Sequence, residues 1–315
     1  MALREAKLKP LVALMATPMS RACIVFFMLA AFPLMSIAQT LSAGEAIQRI
    51  EKHYPAMPPA NTVDTVKAGD PSSPVTGIAT TFLDTMEVLR EAERRGLNLV
   101  ITHEPTFYNH LDDQAFFAED PVYREKLAFI QQHHMVVFRL HDRMHAASTD
   151  EVGTALLRTL GWQSYTEAGN LFLLTIPQTT LLKLSRELAA KLHAQTLRVV
   201  GNPDLSITHV AILPGASGLQ KQVLALRRDD VEVLIAGEAA EWEAVEYVRD
   251  ASAQGRHKAL ILLGHEVSEE AGMEQCAEDL RALFPNLQVA HIPAGQPLWS
   301  PDHPPFAAAT KPPAK

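Results

Sequence analysis

Cysteine is scarce in this 315-residue chain. There are two, Cys23 and Cys276, and Cys23 falls in an N-terminal stretch with the features of an export signal. If that stretch is removed, one thiol remains and no intramolecular disulfide can form, even in an oxidising compartment. A disulfide scaffold is excluded. Basic charge is also short, with 28 Lys and Arg against 36 Asp and Glu. Without the four basic and one acidic residues of positions 1–38, the balance is 24 against 35, a net of −11. Such a chain lacks the concentrated basic face that holds a nucleic-acid backbone. Phosphate-cradling glycine loops are missing: Gly215-Ala-Ser-Gly218 fits neither G-x-G-x-x-G nor a Walker loop and reads as a turn. Ser217 has no G-x-S-x-G elbow around it, which argues against a serine hydrolase. Beyond the leader no apolar run is long enough for a polytopic membrane protein. The 47 % of hydrophobic residues excludes a disordered chain and allows a large core without staples.

The leader carries Arg4, Lys7, Lys9 and Arg21, then an apolar run from Ala22 to Ile37. It closes on Ser36-Ile37-Ala38, a small-x-small pattern of the kind signal peptidase cuts. Residues 1–38 are therefore expected to be a signal peptide that sends the chain to the periplasm or outside, with no stable membrane span after processing. An uncleaved anchor is the alternative, since the run is nearly long enough to cross a thinned bilayer.

Residues 39–74 read as a short helix (Ala46, Ile47, Ile50) and a proline-containing linker. Val75-Thr-Gly-Ile-Ala79 begins a β-like stretch, and Asp84 with Glu87 three on suggests a capping box for a helix to about Arg95. Leu97–Ile101 and Met135–Phe138 have the continuous apolar character of strands buried on both faces. Between them, Asp120-Pro121 opens a helix to about His133. Alternating strands and helices predict α/β layers around mostly parallel sheets. The second half echoes the first: Ile207–Ala211 matches Val75–Ala79, and Arg227-Arg228 before Val231–Ile235 matches Arg94-Arg95 before Leu97–Ile101. In each half a further strand then delivers a histidine. We read two partly similar α/β units, 75–165 and 166–292, related by internal duplication, with flanking helices. The leucines at 181, 184, 188 and 192 form a core-facing helix stripe. The seven prolines of 293–315 mark a disordered tail.

In open α/β sheets ligand groups collect beyond the carboxyl ends of strands. Three such ends carry metal-type donors: His103-Glu104, His141-Asp142-Arg-Met-His145 and His265-Glu266-Val-Ser-Glu269. Imidazole and carboxylate together suit Zn, Mn or Fe(II) better than Mg or Ca. Two ions need about five or six protein ligands and a shared water, which the clusters can supply. Neighbouring strand residues face opposite ways, so Glu104 can join His103 only if the chain turns, and Pro105 makes a break there plausible. His265 and Glu269, four apart, share a face if a helix has begun. The remaining histidines lack partners at useful spacing, His133-His134 reads as a solvated helix end, and Cys276 reads as a packing residue within a helix.

These segments resemble the NIF-three-like dinuclear-metal family, also known as the GTP cyclohydrolase I type 2 family. The resemblance runs through Val75–Pro105, Val137–Ala147, Arg198-Val-Val-Gly201, Val233–Glu238 and Gly264-His265 to Glu269. The family pattern is Thr-His-His-Pro, then His-x-x-x-Asp, then Gly-His-x-x-x-Glu. Carried over by position, the implied metal ligands are His103, Glu104, His145, His265 and Glu269. Glu104 stands where the family has His, and His145 where it has Asp, so three imidazoles and two carboxylates are preserved. The resemblance implies two divalent ions in a cleft between two α/β domains, and a hexameric homo-oligomer built from dimers. His141 falls on a family histidine that is not a ligand, and Glu238 on a family Gly-Glu. On this reading the protein is an exported metal-dependent hydrolase acting on an unknown small substrate through a metal-bridging water. Glu269 is the bridging candidate, and His141 or a nearby carboxylate relays the proton. The alternatives are a non-catalytic metal-binding scaffold that presents its ring to partners, and an α/β envelope domain without metal.

Overall fold

The computed structural model describes residues 41–146 and 149–301; the expected leader and the last fourteen positions of the tail lie outside the described residues. Helix α1 (Ala43–His53) opens on a capping box in which Ser42 and Glu45 satisfy each other's backbone N–H groups. Strands β1 (Val66–Ala68) and β2 (Gly77–Thr81) lead to α2 (Met86–Arg94). The cap of α2 is Thr85, whose hydroxyl accepts from Val88 N–H, and not Asp84 as the spacing suggested. Asp84 is turned inward instead, 3.4 Å from the buried Lys126 ammonium. Strand β3 (Leu99–Thr102) precedes α3 (Pro121–Gln132), where the Asp120 carboxylate accepts from Val122 and Tyr123 N–H as its sequence predicts.

Strand β4 (Val136–Arg139), α4 (Asp142–Ala146) and α5 (Glu151–Leu160) complete the first half. Then come β5 (Thr166–Glu167), β6 (Asn170–Thr180), α6 (Leu181–Lys191), β7 (Arg198–Val200) and β8 (Ser206–Leu213). The chain continues through α7 (Leu219–Leu226), β9 (Val233–Ala236), α8 (Glu246–Ala253), β10 (Ala259–Leu262), α9 (His265–Leu283) and β11 (Gln288–His291).

The result is a mixed α/β fold with two sheets. The first has the order β1-β4-β3-β2-β11, parallel except for β1. The second has the order β5-β6-β8-β9-β10-β7, with a parallel β8-β9-β10 centre and antiparallel flanks. Helices cover both faces of each sheet, which is why β3, β4, β9 and β10 are buried at every position. Sheet membership does not follow chain order. Helix α9 packs Met273, Cys276, Ala277 and Leu280 into the core of the first sheet, and β11 extends that sheet beside β2. The stretch 166–292 is thus divided between the two sheets. Leu181, Leu184 and Leu188 of the expected stripe are core residues. Residues 293–301, expected to be disordered, run against the body. Ala294 N–H donates to Glu270, and the Gln296 amide bonds His193 O and Gln195 N–H.

Candidate metal centre

The carboxyl ends of β3, β4 and β10 bring the three sequence clusters to one cavity of about 1940 Å³. Past the end of β3 the ladder to the β2 side continues for two more bonds, His103 N–H to Thr81 O and Glu104 N–H to Phe82 O. Both residues are therefore held where the chain breaks at Pro105: Glu104 lines the cavity, and His103 is buried against His141 and His145. After β4 the chain turns under the Asp64 carboxylate, which accepts from His141, Asp142 and Arg143 N–H. That cap starts α4 and places His141 and His145 one turn apart. After β10, Gly264 (φ +101) lets the backbone turn directly into α9, so His265 and Glu269 share its first turn.

The side chains close into a ring. His103 Nε2 is 3.1 Å from His145 Nε2 and 3.4 Å from Glu269 Oε2. His265 Nε2 is 3.1 Å from Glu269 Oε2 and 3.4 Å from Glu104 Oε1, and His141 Nε2 is 3.6 Å from that same oxygen. Gly215 (φ +64) makes room for the Glu269 carboxylate: a Cβ there would lie 2.0 Å from Glu269 Oε1. Glu238 stands at the rim, 3.7 Å from His265 Nδ1.

Each imidazole is oriented from behind. His103 Nδ1 is 3.0 Å from Leu140 O, His145 Nδ1 is 2.7 Å from Asp150 Oδ2, and His141 Nδ1 is 2.9 Å from Asp142 Oδ1. Those partners only accept, so each of these Nδ1 atoms carries a hydrogen and each ring turns Nε2 inward, where an unprotonated ring presents a lone pair. This is how metal-binding histidines are held. Two such lone pairs facing at 3.1 Å repel unless a cation or proton lies beside them. Two nitrogens bound tetrahedrally to one zinc sit about 3.3 Å apart. The donor set therefore fits a metal. Two overlapping groups of potential ligands result, His103 with His141 and His145, and His103 with Glu104 and Glu269.

The electrostatics fit a site that binds cations. Burial works against charge on His265, but hydrogen bonds to Glu104, Glu238 and Glu269 override it and push its pKa up to about 12. Burial likewise opposes charge on Glu104, yet His265, His103 and His141 bring it down to about 2. Glu269 is held well below the usual carboxylate range against the same burial, by His103 and His265. His141 is lowered to about 4 by burial and by the neighbouring His103 and His145.

A family model, Duf34/NIF3 (NGG1p interacting factor 3), matches residues 42–296. The chain belongs to the NIF3 family. Solved structures of similar fold include the Staphylococcus aureus hypothetical protein SA1388, at TM-score 0.64 and 17 % identity over 82 % of this chain and 99 % of that one. A Bacillus cereus protein related to NIF3 superposes at 0.64 with 15 % identity, covering 81 % and 97 %. Reduced HcgD from Methanocaldococcus jannaschii superposes at 0.57 with 14 % identity, covering 80 % and 97 %. At such identities the likeness is one of fold. No curated protein matches the chain.

Against the NIF3 pattern, Glu104 and His145 both reach the ring from their altered positions. Several groups that shape the site were not singled out in the sequence. Asp64 lies 77 positions from His141, and Asp150 only five from His145, but neither falls in a metal-ligand spacing. Gly215, read only as part of a turn, cradles Glu269. Arg139, a cation at the end of an otherwise apolar strand, was the visible anomaly. It is fully buried and donates from Nη2 to Glu104 Oε2 at 3.0 Å, from Nε to His103 O and from Nη1 to His110 O.

Proposed function

We propose that this NIF3-family protein is an exported, metal-dependent hydrolase with a dinuclear centre held by His103, Glu104, His145, His265 and Glu269. The observation that carries the reading is the pair of inward Nε2 atoms of His103 and His145 at 3.1 Å, closed into a ring by two buried carboxylates. Two divalent ions bound there would supply Lewis acidity and a water of lowered pKa. The residues themselves supply the rest. Glu269, within reach of both His103 and His265, is the carboxylate placed to serve both ions. His141, with its Nδ1 hydrogen given to Asp142, keeps Nε2 free to take a proton from the cavity. Apolar walls from both sheets, including Phe82, Leu213 and Leu263, exclude water around a small substrate. Homo-oligomerisation is part of the proposal through the family alone.

Elemental analysis of the untagged chain, beside a Glu104→Ala, His265→Ala double variant, tests this. About two Zn, Mn or Fe ions per chain are expected, with at least one lost from the folded variant. A hydrolase substrate screen follows. One ion removes the dinuclear mechanism, and none after incubation with metals removes the reading. Ions without turnover leave a binding protein, in keeping with the family's name as an interacting factor.

A further inference from the structure

The donors on the cavity floor are not evenly mixed. On one side imidazole dominates, with His103 Nε2 and His145 Nε2 3.1 Å apart and His141 beside them. On the other side oxygen dominates, Glu104 Oε1 and Glu269 Oε2 flanking His265 Nε2 at 3.4 and 3.1 Å. Nitrogen-rich sets suit zinc, and added carboxylate oxygen shifts preference towards manganese.

Glu104 is further compromised as a ligand. Its Oε2 is taken by Arg139, so only Oε1 faces the cavity. Arg139 cannot move away, because the carbonyls of His103 and His110 hold its other nitrogens. Behind it, Asp112 Oδ2 lies 3.6 Å from Arg139 Nη1 and 3.2 Å from the buried Lys67 ammonium. Lys67, Asp112, Arg139 and Glu104 form a row of alternating charge that sums to zero. An ion beside Glu104 therefore meets a carboxylate already neutralised, with a fixed cation behind it. Among the described residues no cation pairs with the His103 or His145 imidazole, which are backed by the Leu140 carbonyl and the Asp150 carboxylate; Arg139 reaches only the backbone carbonyl of His103.

Resting on the dinuclear reading above, we propose that the two ion positions are inequivalent. A tight, nitrogen-rich position at His103 and His145 takes zinc. A weaker, exchangeable position at Glu104, Glu269 and His265 takes manganese, and Arg139 holds its affinity down by pairing with Glu104. Arg139 is thus a positioning residue that acts on the ion through a ligand.

The test is competitive titration of the metal-free full chain with zinc and manganese against a chromophoric chelator, with manganese spin resonance to count the second ion. Two classes of site are expected, separated by about tenfold or more, with zinc retained through dialysis at the first and manganese exchanging at the second. Arg139→Met should tighten the weak position by about tenfold, because it frees the carboxylate, and move the tight one less than about twofold. A merely structural role for Arg139 predicts the opposite sign, with binding loosened at both positions. Where near-UV circular dichroism shows Arg139→Met unfolded, Asp112→Asn decides. It can still accept the Phe107 N–H and leaves Arg139 wholly to Glu104, so the weak position should loosen about threefold or more. Neither variant should change ion binding in a Glu104→Ala background. Two equal classes in the wild type, or loosening by Arg139→Met, overturns the inference and leaves the dinuclear centre standing. Failure to bind any ion overturns the centre itself.

Discussion

Gly215→Ala isolates the coupling between the 213–218 turn and the metal ligands. An added Cβ at position 215 would lie 2.0 Å from Glu269 Oε1 and 3.2 Å from His265 Nε2. Ordinary contact begins near 3.4 Å, so the carboxylate or the turn must give by about 1.4 Å. The turn is poorly placed to yield, because Gly215 N–H is bonded to Ser268 Oγ and its carbonyl accepts from Glu238 N–H. Glu269 is therefore the part that moves. Metal sites tolerate ligand displacements of only about 0.2 Å, so ion affinity should fall by about 100-fold or more. The left-handed φ of +64 adds a separate stability cost of about 1–2 kcal/mol. Gly161→Ala separates the two effects: its φ of +71 is left-handed and nothing lies within 4 Å of an added Cβ. Both variants should lose a few degrees of Tm, about 2–4 °C, in the metal-free state. Only Gly215→Ala should lose ions by calorimetric titration. If Gly215→Ala binds ions as the wild type does, the argument that the glycine exists to admit Glu269 is wrong.

Two further perturbations probe the scaffold behind the ligands. Asp150 both holds His145 Nδ1 at 2.7 Å and caps α5 by accepting from Gly153 N–H. Asp150→Ala should cost about 1 kcal/mol in urea unfolding and weaken ion binding by about 10–100-fold; a stability loss with unchanged affinity would show that His145 needs no orienting partner. Lys126→Met should leave the Asp84 carboxylate alone in the interior and cost about 3–5 kcal/mol at pH 8. Burial already raises the Asp84 pKa to about 6, the nearby Lys126 only partly opposing it. Because that value lies above the unfolded one near 3.9, protonation relieves the penalty as pH falls through 6 towards 4. The variant's deficit should accordingly be smaller at pH 5 than at pH 8, and equal deficits would refute the pairing.

Much of the first half was legible because the signals are local. Asp120-Pro121 dictates where α3 begins, and the apolar runs at 97–101 and 135–138 describe strands covered on both faces. The capping pattern at Asp84 misled because Thr85, one residue on, supplies the cap hydroxyl, while Asp84 turns inward beside the buried Lys126. The mostly parallel expectation left the antiparallel flanks of the second sheet unspecified for a different reason: strand direction depends on which edges meet, and neither β6 nor β7 announces its partner. The tail was called disordered on its prolines, but the Gln296 amide and Ala294 N–H find partners that composition does not show.

The donor types at the centre were set in the sequence itself. His103, Glu104, His145, His265 and Glu269 follow three strands, and a chain that forms those strands must present them near carboxyl ends. Tertiary structure alone decided that the three ends share one cavity, since β3 and β4 belong to one sheet and β10 to the other. It also decided which nitrogen of His103 faces inward, through the carbonyl of Leu140, whereas His141 and His145 are oriented by the nearby Asp142 and Asp150. The pairing of Arg139 with Glu104 is of the same kind. Neighbouring strand ends place the two residues side by side although 35 positions separate them in sequence. Periodicity reports burial and local capping; it carries no information about which distant groups complete a hydrogen bond or cancel a charge.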